Sequence, residues 1–135
     1  MLRNIIASYK HIPYTYKHYK VMLKIQKVIL GCVIYPFHDL DKILMYIFLP
    51  FLGTKRIKKI HKKFCKHHIT EDKTSNQCDY VEAILDWESA RFTKAGKYEN
   101  SLEVIERKYK KSKHYVPLKV FYKCLKEFKL SHINK

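Results

Sequence analysis

Glycine is scarce in this chain of 135 residues, with three, and proline hardly less so, with four. So few turn formers exclude collagen-like and low-complexity chains and count against sandwiches and barrels, which need many tight turns. Long hydrophobic runs are also missing. The two longest, Val28–Phe37 and Ile43–Leu52, are ten residues each, half of what a bilayer requires. His38-Asp39-Leu40-Asp41-Lys42 separates them and would put charge near mid-membrane in a fused span, so both runs are expected as buried helical segments. The first residues show no apolar signal core and no small-residue cleavage site, so no secretory signal is expected. The four cysteines (Cys32, Cys65, Cys78, Cys124) contain no C-x-x-C pair and read as reduced thiols of a cytoplasmic protein. There is no P-loop, no glycine-rich dinucleotide turn and no nucleophile elbow.

Acid is the scarcest commodity of the first half. Residues 1–68 carry 14 Lys and Arg but only Asp39 and Asp41, whereas residues 69–135 balance 14 basic with 10 acidic residues; the formal net charge is +16. Arginine is rare as well, at Arg3, Arg56, Arg91 and Arg107, which weakens any reading as a base-specific nucleic-acid reader. What is present is 47% hydrophobic residues and 14% aromatics, enough for one core.

Periodicity places helices throughout. Tyr14 to about Leu30 carries Val21, Met22, Ile25, Val28 and Ile29 opposite Lys17, Lys20, Lys24 and Lys27, with Gly31 as its stop. A second helix spans Asp39 to about Phe48, limited by Pro50 and Gly53. A third, capped by Thr54, runs to about His68. After the polar loop Thr70–Gln77 a fourth covers Asp79 to Ala95, stopped by Gly96. Asn100 and Glu103 form a capping-box start for a fifth, reaching about Lys111, and Pro117 fits the first turn of a last helix to about Leu130. The expectation is an all-α, single compact bundle of five to six helices over 1–135, with a motif core at about 14–90 and a C-terminal helical hairpin at about 98–131.

Eight histidines stand in the chain, and five of them fall into an ordered set with carboxylates: His18, then His38-Asp39, then His61 with His67-His68, then Asp86, with Glu82 one turn before it. Imidazole nitrogen with carboxylate oxygen suits Zn, Mn, Fe or Ni, and facing helices of a bundle can converge such ligands. His61 and His68, seven apart, are expected on one helical face. A divalent ion would also account for the lone acid Asp39 among so many lysines. Each residue also has a plainer reading, as a satisfied core histidine, a solvated surface charge or a basic helix end.

The ordered motifs Thr15-Tyr16-Lys17-His18-Tyr19-Lys20-Val21, His38-Asp39-Leu40-Asp41-Lys42, His61-x-x-x-Cys65-x-His67-His68 and Glu82-x-x-x-Asp86-Trp87 resemble those of an uncharacterised family of small phage and bacterial proteins. Its pattern has Ser at the position of Asp41 and Asn at that of Cys65. That family is in turn similar to the HD-domain metal phosphohydrolases, all-helical proteins that bind metal through His, His-Asp and Asp. The resemblance implies His18, His38, Asp39 and Asp86 as primary ligands. His61 with His67 or His68 would complete a second site, so that the centre would hold one or two ions, with Asp39 bridging the two. It further implies a cytoplasmic hydrolase of a bacterial or phage-infected cell acting on a nucleotide or other phosphorylated substrate. Lys42 would contact substrate phosphate, Asp41 would serve as general base or orient Lys42, and Glu82 would hold a ligating histidine. Trp87 is expected in the core.

Two other classes compete. Thr54–Lys66 has seven basic residues and no acid, and Tyr9, Tyr14, Tyr16 and Tyr19 interleave with Lys10, Lys17 and Lys20. Together they fit a non-catalytic protein that binds nucleic acid. An oxygen-activating di-iron centre would use the same ligands.

Overall fold

The computed structural model describes residues 1–94, 96 and 99–127. They form six helices and no strand: α1 (Leu2–Leu30), α2 (Leu40–Phe48), α3 (Gly53–Phe64), α4 (Gln77–Thr93), α5 (Ser101–Tyr109) and α6 (Tyr115–Glu127), with one 3-10 turn at Pro50–Leu52. α1 packs on α2, α3 and α4, and α4 packs in turn on α5 and α6. The fold is therefore an all-α bundle built on the α1–α4 pair. Its core joins Met22, Ile25 and Ile29 of α1 to Ala83, Ile84 and Trp87 of α4, closed by Val104, Ile105, Leu118 and Leu125. Trp87 lies in that core, its ring 5.4 Å from Tyr109.

α1 begins far earlier than the first apolar repeat and runs through Pro13. Tertiary docking outweighs the missing N–H. Ser8 Oγ donates to the Pro50 carbonyl at 2.9 Å, and Asn4 Nδ2 donates to that of Phe51 at 3.2 Å. The same turn lies so close to Gly53, φ 76°, that a Cβ there would meet the Asn4 side chain at 3.0 Å. Gly31 ends α1 in the left-handed conformation, as its sequence position implied. The loop after it is held by the fully buried Gln26, whose Oε1 accepts from Ile34 N at 2.9 Å and Tyr35 N at 2.6 Å.

Four expectations need correction. α3 stops at Phe64, with Cys65 extended, so His67 and His68 lie beyond the helix and do not share its face with His61. Lys73 Nζ substitutes for the lost turn, donating to the carbonyls of Lys62, Cys65 and His68. α4 starts at Gln77, because Asn76 and Asp79 form a capping box there, and it ends at Thr93, before Gly96. The two apolar runs are not buried helices throughout: Val28–Phe37 leaves α1 at Leu30 and buries only Ile29, with Val28, Ile34 and Phe37 exposed, and in Ile43–Leu52 the side chains of Leu44, Ile47, Phe48, Leu49 and Phe51 are exposed. α5 is shorter than expected, but its Asn100–Glu103 capping box is in place. Tyr98 and the last-helix end near Leu130 lie outside the described residues. No helix among the described residues is long and apolar enough to cross a membrane.

Candidate metal centre

Five segments converge where α1, α2, α3 and α4 meet. His18 comes from the middle of α1, Glu82 and Asp86 from one face of α4, His61 from the last turn of α3. His67 and His68 come from the turn after α3, closed by His68 N on the Cys65 carbonyl at 3.3 Å. His38 and Asp39 come from the turn that opens α2. Asp39 occupies the N-cap position, yet its side chain caps nothing. It is the one non-glycine residue with positive φ (59°) among the described residues, and its carboxylate turns inward, 3% exposed, toward the histidines. A capping carboxylate is worth about 1 kcal/mol to a helix, and a left-handed non-glycine costs about as much. α2 forgoes the first and bears the second, so this residue is held for something other than stability.

The two oxygens of Asp39 face two sets of donors. Oδ2 lies 3.7 Å from His18 Nε2 and 3.6 Å from His38 Nε2. Those two nitrogens reach Asp86 Oδ1 at 2.7 Å and 3.3 Å. Oδ1 lies 3.0 Å from His61 Nε2, without the alignment of a hydrogen bond, and 3.7 Å from His67 Nε2. His68 completes this second set, its ring 4.8 Å from that of His61. In each set every residue can offer one donor atom within 4.8 Å of all the others, close enough to hold a metal ion.

Four buried atoms of the second set have no hydrogen-bond partner: Asp39 Oδ1 and the Nε2 atoms of His61, His67 and His68. One such atom costs a fold about 1–3 kcal/mol, so four in one place are not accidental. Their other ring nitrogens are mostly engaged. His61 Nδ1 meets Asp41 Oδ2 at 2.6 Å, and His67 Nδ1 lies 3.3 Å from Glu82 Oε1. In the first set His38 Nδ1 bonds Glu82 Oε1 at 2.9 Å and His18 Nδ1 meets Thr93 Oγ1 at 3.1 Å. Engaging Nδ1 from outside fixes these four rings so that Nε2 points to the middle, the usual posture of metal-ligating histidine.

Charge follows the same division. Burial opposes a proton on His38 and His61, but the carboxylates of Asp86, Glu82 and Asp39 around the first, and of Asp39 and Asp41 around the second, hold each up to about 10. The carboxyls move the other way. Burial would raise them, yet His38 and His67 hold Glu82 down to about 2, and the surrounding histidines hold Asp39 and Asp86 below the usual range. His68 contrasts with all of these: burial, reinforced by His67, lowers it to about 3, leaving a neutral imidazole. Lys42 Nζ sits 2.6 Å from Asp39 Oδ2, and that carboxylate overcomes burial to keep the ammonium charged.

All ten residues singled out in the sequence (His18, His38, Asp39, Asp41, Lys42, His61, His67, His68, Glu82, Asp86) are thus brought together. Asp41, however, pairs with His61 and not with Lys42, because adjacent positions on α2 point about 100° apart, and Lys42 turns instead to Asp39. Both His67 and His68 turn inward. Sequence reasoning missed Thr93, although it lies seven residues after Asp86 on the face that carries Glu82 and Asp86, a spacing that was there to be read. It also missed Gln26, whose role depends on a loop. A cleft of about 350 Å³ opens beside the cluster, walled by Ile34–Phe37, Asp41, Cys65, Lys66, His67 and Glu82. Cys65 Sγ is 3.2 Å from His61 Nδ1 and 3.6 Å from Asp41 Oδ2.

No protein-family model matches the chain, and neither does a curated protein or a solved structure. The site has to be read from its own chemistry.

Proposed function

We propose that the chain is a metal-dependent phosphohydrolase whose centre holds two divalent transition ions from the group Mn, Fe, Zn and Ni. The observation that carries this reading is the knot of four buried donors without hydrogen-bond partners, Asp39 Oδ1 and three Nε2 atoms. His18, His38, Asp86 and Asp39 Oδ2 would hold one ion. His61, His67, His68 and Asp39 Oδ1 would hold the other, with Asp39 as bridge. An N-rich, O-containing donor set of this kind suits borderline transition metals better than Mg or Ca. The motif resemblance points the same way.

Such an ion pair would supply a bound water of lowered pKa and a Lewis acid for a phosphoryl oxygen. The chain's own groups position everything else. Asp41, Glu82 and Thr93 orient the ligating rings through Nδ1. Lys42, no longer needed to neutralise Asp39, offers its ammonium to a substrate phosphate. Asp41, partly exposed on the cleft wall, can take a proton from the attacking water. The reaction adds one water: its oxygen joins phosphorus, the ester P–O bond breaks, and the departing oxygen takes a proton.

The test is elemental analysis of the purified chain beside a panel of nucleotides, phosphomonoesters and phosphodiesters, with a His38→Ala/Asp39→Ala double variant as control. Stoichiometric transition metal and hydrolysis in the parent chain, and neither in the variant, are expected. Absence of transition metal from every preparation overturns the reading. Bound iron with oxygen consumption and no hydrolysis would replace it with a di-iron oxygenase.

A further inference from the structure

α3 is split sharply into two faces. Ile57 and His61 are buried, while Lys55, Arg56, Lys58, Lys59, Lys62 and Lys63 are all exposed. Among the described residues none of the six makes a salt bridge with an acid, whereas Glu99, Glu106, Asp39 and Glu88 all find basic partners. Helix neighbours of like charge repel and cost stability, and α3 stacks them one turn apart. Such a ridge fits a polyanion whose phosphates recur along its length better than a single phosphate group.

The ridge leads somewhere. Its last turn runs into Cys65 and Lys66, which line the cleft beside the histidine cluster. Two exposed aromatic rings stand on this path. Phe64, 73% exposed, follows Lys63, whose Nζ lies 5.6 Å from the ring centre. Phe37, 75% exposed, lines the same cleft. Phenylalanine at the surface between lysines has little to gain from water, but it offers a face on which an unpaired base can stack. At about 350 Å³ the cleft is of small-ligand size, room for about one nucleotide and far too small for a duplex.

We infer that this surface binds single-stranded nucleic acid: the lysines of α3 track the backbone, Phe64 and Phe37 stack bases, and one phosphodiester is delivered to the cleft. The scarcity of arginine fits contact with phosphates in place of base-edge readout. What becomes of the strand rests on the phosphohydrolase reading; its binding does not.

Fluorescence anisotropy of a labelled 12-nucleotide single strand tests this in EDTA, so that binding is read without hydrolysis. With about four phosphates engaged, affinity falls about 50-fold between roughly 50 and 200 mM salt. In Lys59→Glu/Lys62→Glu/Lys63→Glu, three exposed changes checked for intact helical content, only about a threefold salt effect remains. Phe64→Ala weakens binding about fivefold or more at fixed salt. A duplex of equal length and heparin bind more weakly than the single strand. Unchanged binding by the triple variant overturns the proposal. So does a Phe64→Ala variant that binds like the parent, or equal affinity for single strand, duplex and heparin, which marks an unselective polyanion surface. Strand binding in EDTA with no metal in the parent chain would retain this inference while removing the phosphohydrolase.

Discussion

His18, His38 and Asp86 satisfy one another through contacts of 2.7 and 3.3 Å, whereas His61, His67 and His68 leave three ring nitrogens without hydrogen-bond partners. Both sets use the same residue, Asp39, one oxygen each. The difference shows that a candidate metal centre need not be uniformly costly to the metal-free fold. The first set is internally neutralised, and an ion entering it must displace protons and break ion pairs. The second carries the unsatisfied atoms, and His68 there is already neutral.

The most damaging change to this arrangement is Asp39→Asn, which removes the carboxylate common to both sets. Metal content is expected to fall close to zero by elemental analysis and hydrolysis to background; a variant that keeps one ion would show that Asp39 does not join the sets. Single truncations sharpen the contrast. In EDTA, His18→Ala removes the shorter of the two histidine contacts to Asp86, leaving only His38 at 3.3 Å, and is expected to destabilise by about 3 kcal/mol in urea unfolding. His68→Ala removes an atom that had no partner and is expected to cost less than about 1.5 kcal/mol. Equal losses would erase the distinction.

Smaller effects come from the residues behind the ligands. Glu82→Gln, which touches both sets, and Asp41→Asn, which touches only the second, should each weaken metal binding by about 10–100-fold, read by competition with a chelating dye. pH adds a graded test. His38 and His61 are protonated in the metal-free chain at neutral pH because their pKa values are raised to about 10. Each such proton lost to an ion makes apparent affinity rise about tenfold per pH unit between pH 6 and 8. Affinity that is flat or falls with pH would refute the protonation pattern. The mildest change lies outside the centre. Tyr80 OH donates to His114 Nδ1 at 2.8 Å, and His114 Nε2 meets the Thr70 carbonyl at 3.0 Å. Tyr80→Phe should lower stability by about 1–2 kcal/mol in thermal unfolding and leave metal content unchanged.

Much of the fold was legible because helix periodicity and local caps write themselves into short stretches. Gly31 and the Asn100–Glu103 pair stop and start helices where they were expected to. The first turns of α1 were not legible, since what holds them is Ser8 and Asn4 reaching the 3-10 turn more than forty residues away. The end of α3 was hidden for a similar reason: a lysine from the following loop satisfies its carbonyls. At the centre, residue types and order identified the ligand candidates. The left-handed turn of Asp39 and the division of its two oxygens could not be read from spacing, because both depend on where four helices and a loop meet. Capping chemistry shows the contrast within one chain: Asn76 and Asn100 cap their helices, while Asp39 stands at the same position and gives its carboxylate to the histidines.

The bridging role of Asp39 is tested most directly by electron paramagnetic resonance of the chain loaded with two equivalents of Mn(II). A carboxylate shared between the two sets predicts a spin-coupled spectrum from a pair of ions, lost in Asp39→Asn. A spectrum of isolated Mn(II), or of ions free in solution, would contradict the account.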